Sequence, residues 1–141
     1  MELEIRLLGP HDRAVLDHVA DGVFDAPVDP RWTGEFLADA RHHLVVARLD
    51  GVVVGMASAV DYVHPDKAPQ LWINEAGVAP THQRQGIAKR LLDLLMGLAG
   101  ELGCSEAWVL TDEGNEAARA AYLSAGGEET PGVVMVTFKL G

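Results

Sequence analysis

A chain of 141 residues, 48% hydrophobic and 23% charged, has the size and make-up of a single globular domain, taken here as 1–141. Its 11 basic and 21 acidic side chains leave a formal net charge of −10, which argues against nucleic acid as a partner and leaves room for a cationic one. No apolar run approaches the ~20 residues that cross a bilayer, the N-terminus alternates charged and apolar residues unlike a secretory leader, and Cys104 is the single cysteine; a cytoplasmic protein with no membrane partner is expected.

In chain order, Glu2 to Leu8 puts Leu3, Ile5 and Leu7 on one face and Glu2, Glu4 and Arg6 on the other, as in a half-buried strand. Gly9-Pro10 ends it, and Asp12 is placed to cap a helix carrying Val15, Leu16 and Val19. A loop from Pro27 to Pro30 leads to a short helix near Thr33 to Ala40. Leu44–Leu49 and Val52–Val60 are β-rich runs joined by Asp50-Gly51, a two-residue hairpin signal. His64-Pro65-Asp66-Lys67-Ala68-Pro69 reads as a loop, and Leu71–Val78 as the next strand. Gly77 in that strand marks a bulge or a close backbone approach.

Gly86 to Leu102 is the clearest helix, with Ile87, Leu91, Leu94, Leu95, Leu98 and Leu102 at helical spacing and Gly103 as its stop. A short strand at Ala107–Leu110, a helix from Asn115 to Ser124 and a final strand at Val133–Phe138 complete the chain. The expected fold is α/β (α+β): a mixed central sheet of six to seven strands flanked by about four helices, parallel and right-handed in its β-α-β-α-β part.

The junction from Val78 to Leu92 carries the strongest chemical signal. A strand ends, a basic loop with Gly86 follows, and a helix begins, so unpaired N–H groups and a helix dipole converge as a phosphate requires. Arg84 and Lys89 add positive charge, and Gly86 admits a close ligand. An ordinary strand-to-helix turn has the same outline. Neither a Gly-x-x-x-x-Gly-Lys-Ser/Thr loop nor Gly-x-Gly-x-x-Gly is present. Further along, Asn115, Ala118 and Tyr122 fall on one helix face, with polar groups at either end of a small-residue stripe.

Gln83-x-x-Gly86-x-Ala88 after Val78, together with Asn115-x-x-Ala118-x-x-x-Tyr122 and Gly126, resembles the GCN5-related N-acetyltransferases over roughly residues 44–138. Ala88 stands where many relatives have a second glycine, and Gly127 where a Phe often follows. The resemblance implies acetyl-CoA as co-substrate and no metal. It implies cofactor binding by Val78, Ala79, Gln83, Arg84, Gln85, Gly86, Ile87, Ala88, Lys89 and Asn115, with the diphosphate at Arg84 to Lys89 and the pantetheine running past Val78 and Asn115. It also implies that the Val78 N–H polarises the acetyl carbonyl and that Tyr122 protonates the leaving thiolate.

An alkylamine is protonated at neutral pH and needs a base before it attacks a thioester. Glu75, a carboxylate inside an apolar strand, is the candidate; by strand alternation it lies opposite Trp72 and Val78. A Glu paired to a local cation or facing solvent is the structural alternative. Cys104 reads as a small buried hydrophobe. His42-His43 points to opposite faces of a strand and makes a poor metal pair.

His64-Pro65-Asp66-Lys67, Ile73-Asn74-Glu75 and Ala107–Thr111 are similar to aminoglycoside 3-N-acetyltransferases of type I. The expected acceptor is therefore a small, cationic, aminoglycoside-like primary amine. Asp21, Asp25, Asp29, Glu75, Asp112 and Glu113 are candidate carboxylates around it, and His64, Asp66 and Lys67 either line the pocket or sit on a solvated loop. A peptide or protein amine is the alternative acceptor, and a non-catalytic acetyl-CoA-binding module the alternative class. An exposed final strand offers a route to a homodimer.

Overall fold

The structure, a computed structural model, describes residues 2–141. Its sheet has five strands in the order β1-β2-β3-β4-β5: β1 Glu4–Leu7, β2 His42–Leu49, β3 Val52–His64, β4 Lys67–Val78 and β5 Glu106–Val109. The first four pair antiparallel, and β5 lies parallel to β4. Three α-helices, α1 Pro30–Ala38, α2 Ile87–Glu101 and α3 Glu116–Ser124, accompany 3-10 turns at Arg13–Asp17 and Pro80–His82.

Period-two alternation along β2 sorts its side chains into two cores. Val45 and Ala47 face α2 and join Ala57, Leu71, Ile73, Ile87, Leu91 and Leu95. Leu44 and Val46 face the other way, with Leu16, Val23, Leu37, Val53 and Met56, under the Arg13–Asp17 turn and α1. The α2 stripe follows the predicted helical period: Ile87, Leu91, Leu92 and Leu95 are buried, while Leu94 and Leu102 remain partly exposed. Asp50 and Gly51 both take positive φ, so β2 and β3 close on a type I′ turn.

Several expectations need correction. The sheet has five strands, not six to seven, and three α-helices, not about four, among the described residues. The Asp12 segment forms one short 3-10 turn, with the Asp12 carboxylate accepting from the Gly9 N–H instead of capping a helix. The stretch from His64 to Pro69 is mostly strand: β3 runs to His64, β4 starts at Lys67, and only Pro65-Asp66 turn. Val133–Phe138 pairs with no strand and is exposed. A strand needs a ladder partner, and this chain does not supply one to that segment.

Gly77 is a close-approach position. A Cβ there would lie 2.2 Å from the Val23 carbonyl oxygen, so the chain at Val23 packs directly onto the β4 backbone. The bulge lies elsewhere. Ser58 pairs with Glu75 but Ala59 with Ile73, so Asn74 is the extra residue.

Candidate active site

The β4–β5 ladder ends at Ile73 and Val109, yet β4 continues to Val78. The Asn74 bulge falls where pairing stops, so β4 bends away and a gap opens beside Glu75–Val78. The bulge also resets the alternation. Val60 pairs with Trp72 and Ser58 with Glu75, and those two β3 residues share a face, so Trp72 and Glu75 lie on the same side. Only Val78 is on the opposite, α2-facing side, which corrects the expected placement of Glu75.

Backbone direction follows from the same ladder. The Ala79 N–H donates to the Val54 carbonyl at 2.8 Å, so the preceding amide, that of Val78, faces the gap. The Gln83 side-chain amide donates to the Val78 carbonyl at 3.1 Å, tying loop to strand. Ala79 has its carbonyl engaged by the His82 N–H and its methyl in the core, so its role is to anchor Val78.

Beyond the Pro80–His82 turn the chain takes two left-handed residues, Arg84 at φ 63° and Gly86 at φ 77°. The position a Cβ would occupy on Gly86 has nothing within 4 Å, which leaves open space over the loop. The first acceptor used inside α2 is the Gly86 carbonyl, by the Arg90 N–H. Among the described residues the N–H groups of 84–89 reach no backbone carbonyl. They form an N-terminal cradle with the positive end of a 15-residue helix behind it. Arg84, Gln85 and Gly86 are exposed, Ala88 is half-buried, and the buried Ile87 side chain is part of the core, leaving only its N–H for a ligand. Lys89 is held by Asp93 at 2.8 Å, which offsets part of its charge.

Asn115 caps α3, its Oδ1 accepting from the Ala118 N–H at 3.1 Å, with the side-chain NH₂ still free. Tyr122 packs against the α2-side core. Burial raises its pKa, and the Glu75 charge raises it further. Glu75 is itself raised, first by burial and then by the Asp25 charge, with the Asp25 N–H pulling the other way. Tyr122, from the α2 side of the sheet, thus senses the charge of Glu75 on the opposite face.

A cavity of about 430 Å³ adjoins Glu75 through Asp25 and is lined by Asp17, Asp21, Phe24 and Asp25. Of the expected acidic set, Asp21 and Asp25 gather here. Asp29 caps α1 through the Arg31 and Trp32 N–H groups, and Asp112 and Glu113 are exposed on the loop before α3. His64, Asp66 and Lys67 bond one another at the hairpin tip, eight β residues from Glu75 and about 26 Å along the strand. Asp17 was not foreseen; its four-residue spacing from Asp21 and Asp25 reads as a helix face until the chain leaves its single turn. Trp72 and Trp108 were also missed. They stack at 5.4 Å on the Glu75 face, and Trp108 Nε1 donates to the Tyr62 hydroxyl. Only the parallel β4–β5 register brings them together.

His42 and His43 diverge, His42 toward Asp39 and the buried His43 onto Asp61 at 2.6 Å. Burial and Asp61 raise the Cys104 thiol, which keeps it protonated and a weak nucleophile.

The model of the acetyltransferase (GNAT) family matches residues 14–126, which include the gap, the loop and α3. The chain belongs to the GNAT acetyltransferase family. It is an N-acetyltransferase, and GNAT relatives point the same way. The type 1 aminoglycoside N(6′)-acetyltransferase of Serratia marcescens is 33% identical over 112 residues, 76% of this chain and 77% of that protein. Its name specifies the 6′ amine, whereas the sequence segments above resembled the 3-N group. An aminoglycoside acetyltransferase from an uncultured soil metagenomic sample, solved with sisomicin, superposes at TM-score 0.82 with 23% identity, covering 99% of this chain and 97% of that one. AAC(6′)-Iy, solved with the bisubstrate analogue CoA-S-monomethyl-acetylneamine, superposes at 0.80 with 22% identity, covering 99% and 100%. At these identities the two structures speak for the GNAT fold.

Proposed function

We propose that this GNAT protein transfers the acetyl group of acetyl-CoA to a primary amine of a small polycationic acceptor of the aminoglycoside kind. The observation that carries the reading is the gap beside Glu75–Val78, where the β4–β5 ladder has stopped, with the unpaired N–H groups of 84–89 following in the chain and Asp25 beside Glu75. The relative of known name and the soil enzyme bound to sisomicin support the acceptor class.

The residues fit acetyl-CoA on their own geometry. The cradle at 84–89 suits a diphosphate, the free Asn115 NH₂ and the Ala118 stripe suit an amide-bearing arm, and the Val78 N–H faces where a thioester carbonyl would lie. Acetyl-CoA supplies an activated acyl carbon whose thiolate departs readily.

Glu75, directly or through one water, takes the ammonium proton so that the nitrogen lone pair can attack the acyl carbon. The Val78 N–H donates to the developing oxyanion. Tyr122, kept protonated by its raised pKa, gives its proton to the departing sulfur. A thiol has a pKa near 8.5, so this last help is worth less than the base. Asp17, Asp21 and Asp25 hold the acceptor's other ammonium groups.

The test is release of CoA thiol from acetyl-CoA across a panel of aminoglycosides, polyamines and peptides. Turnover with aminoglycosides is expected. Turnover with peptide amines alone would replace the acceptor assignment, and acetyl-CoA binding without turnover on any amine would leave a binding module.

A further inference from the structure

The sheet face that carries Glu75 is covered over only part of its length. The core under α1 and the Arg13–Asp17 turn takes in Met56 of β3 but not Tyr62, Trp72 or Trp108. None of these three belongs to the α2-side core either. Trp72 stays 40% exposed. A stacked tryptophan pair outside both cores adds little to packing and leaves a broad aromatic surface in water, the mark of a ligand surface.

Ladder register orders this face from end to end. Ser58 pairs with Glu75, Val60 with Trp72, and Tyr62 with Gln70; Trp108 lies beside Trp72, and Glu106 beside Gln70. Each step is two β residues, about 7 Å, so the Gln70–Glu106 rung lies about 13 Å from Glu75. The stack between them is fixed in place. Its ring planes are 11° apart. Trp108 Nε1 donates to the Tyr62 hydroxyl at 3.0 Å, and that hydroxyl donates to Gln70 Oε1 at 2.6 Å. Trp108 covers one face of Trp72, so the exposed part of Trp72 is its other face and its edge. The Gln70 NH₂ remains free to donate. The Glu106 carboxylate is exposed and enters no ion pair among the described residues.

We propose that this strip binds the rings of an amino-sugar acceptor that lie beyond the reacting amine, an inference that rests on the acceptor class given above. An amino sugar has an apolar C–H face and a rim of hydroxyl and ammonium groups. The C–H face lies on Trp72, where a neighbouring ammonium also gains from the ring quadrupole. A hydroxyl accepts from Gln70, and a far ammonium meets Glu106. The relay through Tyr62 orders the aromatic surface before the ligand arrives, so binding costs little side-chain entropy. A linear polyamine has no ring face to lay on Trp72. The strip therefore selects rings over chains of equal charge, whereas the Asp17, Asp21 and Asp25 carboxylates respond to charge alone.

Calorimetry and steady-state rates with sisomicin, a multi-ring aminoglycoside, and spermine, a linear polyamine, test this. Trp72→Ala should raise the dissociation constant and KM of sisomicin ~10-fold with kcat kept, and at least ~5-fold more than it raises those of spermine. Trp72→Phe, which keeps a ring, should recover most of that loss. Glu106→Gln, a change on the surface that spares the fold, should raise the sisomicin KM ~3-fold at low salt and less at high salt. Equal losses for the two amines in Trp72→Ala overturn the proposal. So does a sisomicin KM that neither Trp72→Ala nor Glu106→Gln changes, or a wild type that neither binds nor acetylates sisomicin. The two readings fail separately. Sisomicin binding that needs Trp72 but gives no turnover keeps the strip and ends the acetyl-transfer assignment. Acetylation of sisomicin that is indifferent to Trp72 does the reverse.

Discussion

Glu75 is held between two demands. As the proposed base it must be charged to accept a proton, yet burial and the Asp25 charge favour its neutral form. An acid whose pKa rises on folding binds more protons in the native state than in the unfolded one. Its contribution to stability is therefore lost as pH rises through the folded value. Glu75→Gln should then leave the melting temperature at pH 7 equal to or above wild type while turnover falls about 100-fold or more. The acid limb of the kcat/KM profile should lie above the ordinary carboxylate range and disappear in the variant. Steady-state rates and thermal melts on the same preparations check both halves, and a loss of stability together with rate would point to a structural role. The acidic character of Glu75 was legible in the chain because it interrupts an apolar strand. Its side of the sheet was not, because alternation assumes an unbroken ladder and the Asn74 bulge breaks it.

At the scale of elements, two glycines separate packing from ligand binding. Gly77→Ala drives a Cβ into the Val23 carbonyl, so either β4 or the 20–28 segment must move. A loss of about 1–3 kcal/mol is expected by denaturant unfolding, with weaker binding of the acceptor because that segment lines the cavity. Gly86→Ala meets no neighbour but forces a left-handed residue to carry a side chain, at a cost of about 1–2 kcal/mol. Its Cβ would occupy the open space over the cradle, so KM for acetyl-CoA should rise about tenfold (about 1.4 kcal/mol of binding) while kcat is kept. An unchanged KM would remove the loop from the binding site. The loop and α2 were read from the chain with little error because their signals are local: a glycine at a helix start and a 3.6-residue apolar period. Helix starts of this kind are decided within one or two turns.

Across the whole molecule the charge of −10 would set how the proposed cationic acceptor arrives. Raising salt from about 0.02 to 0.3 M shrinks the screening length several-fold. The KM of a tricationic amine should rise several-fold over that range, and that of a monoamine much less; equal responses would deny the acidic cavity its part.

Composition, the two periodicities and the punctuating glycines determined an α/β fold, the helices α2 and α3, the β2–β3 hairpin and the turn into α2, since each depends on neighbours a few residues apart. The gap between β4 and β5, the Trp72–Trp108 stack and the meeting of Glu75 with Tyr122 were decided only in three dimensions. They depend on where a parallel ladder stops and on which helix lies across it, and those are contacts between residues up to 47 positions apart. The fate of Val133–Phe138 belongs to the same class: its alternation reads as a strand, but a strand needs a ladder partner and none of the five strands pairs with it.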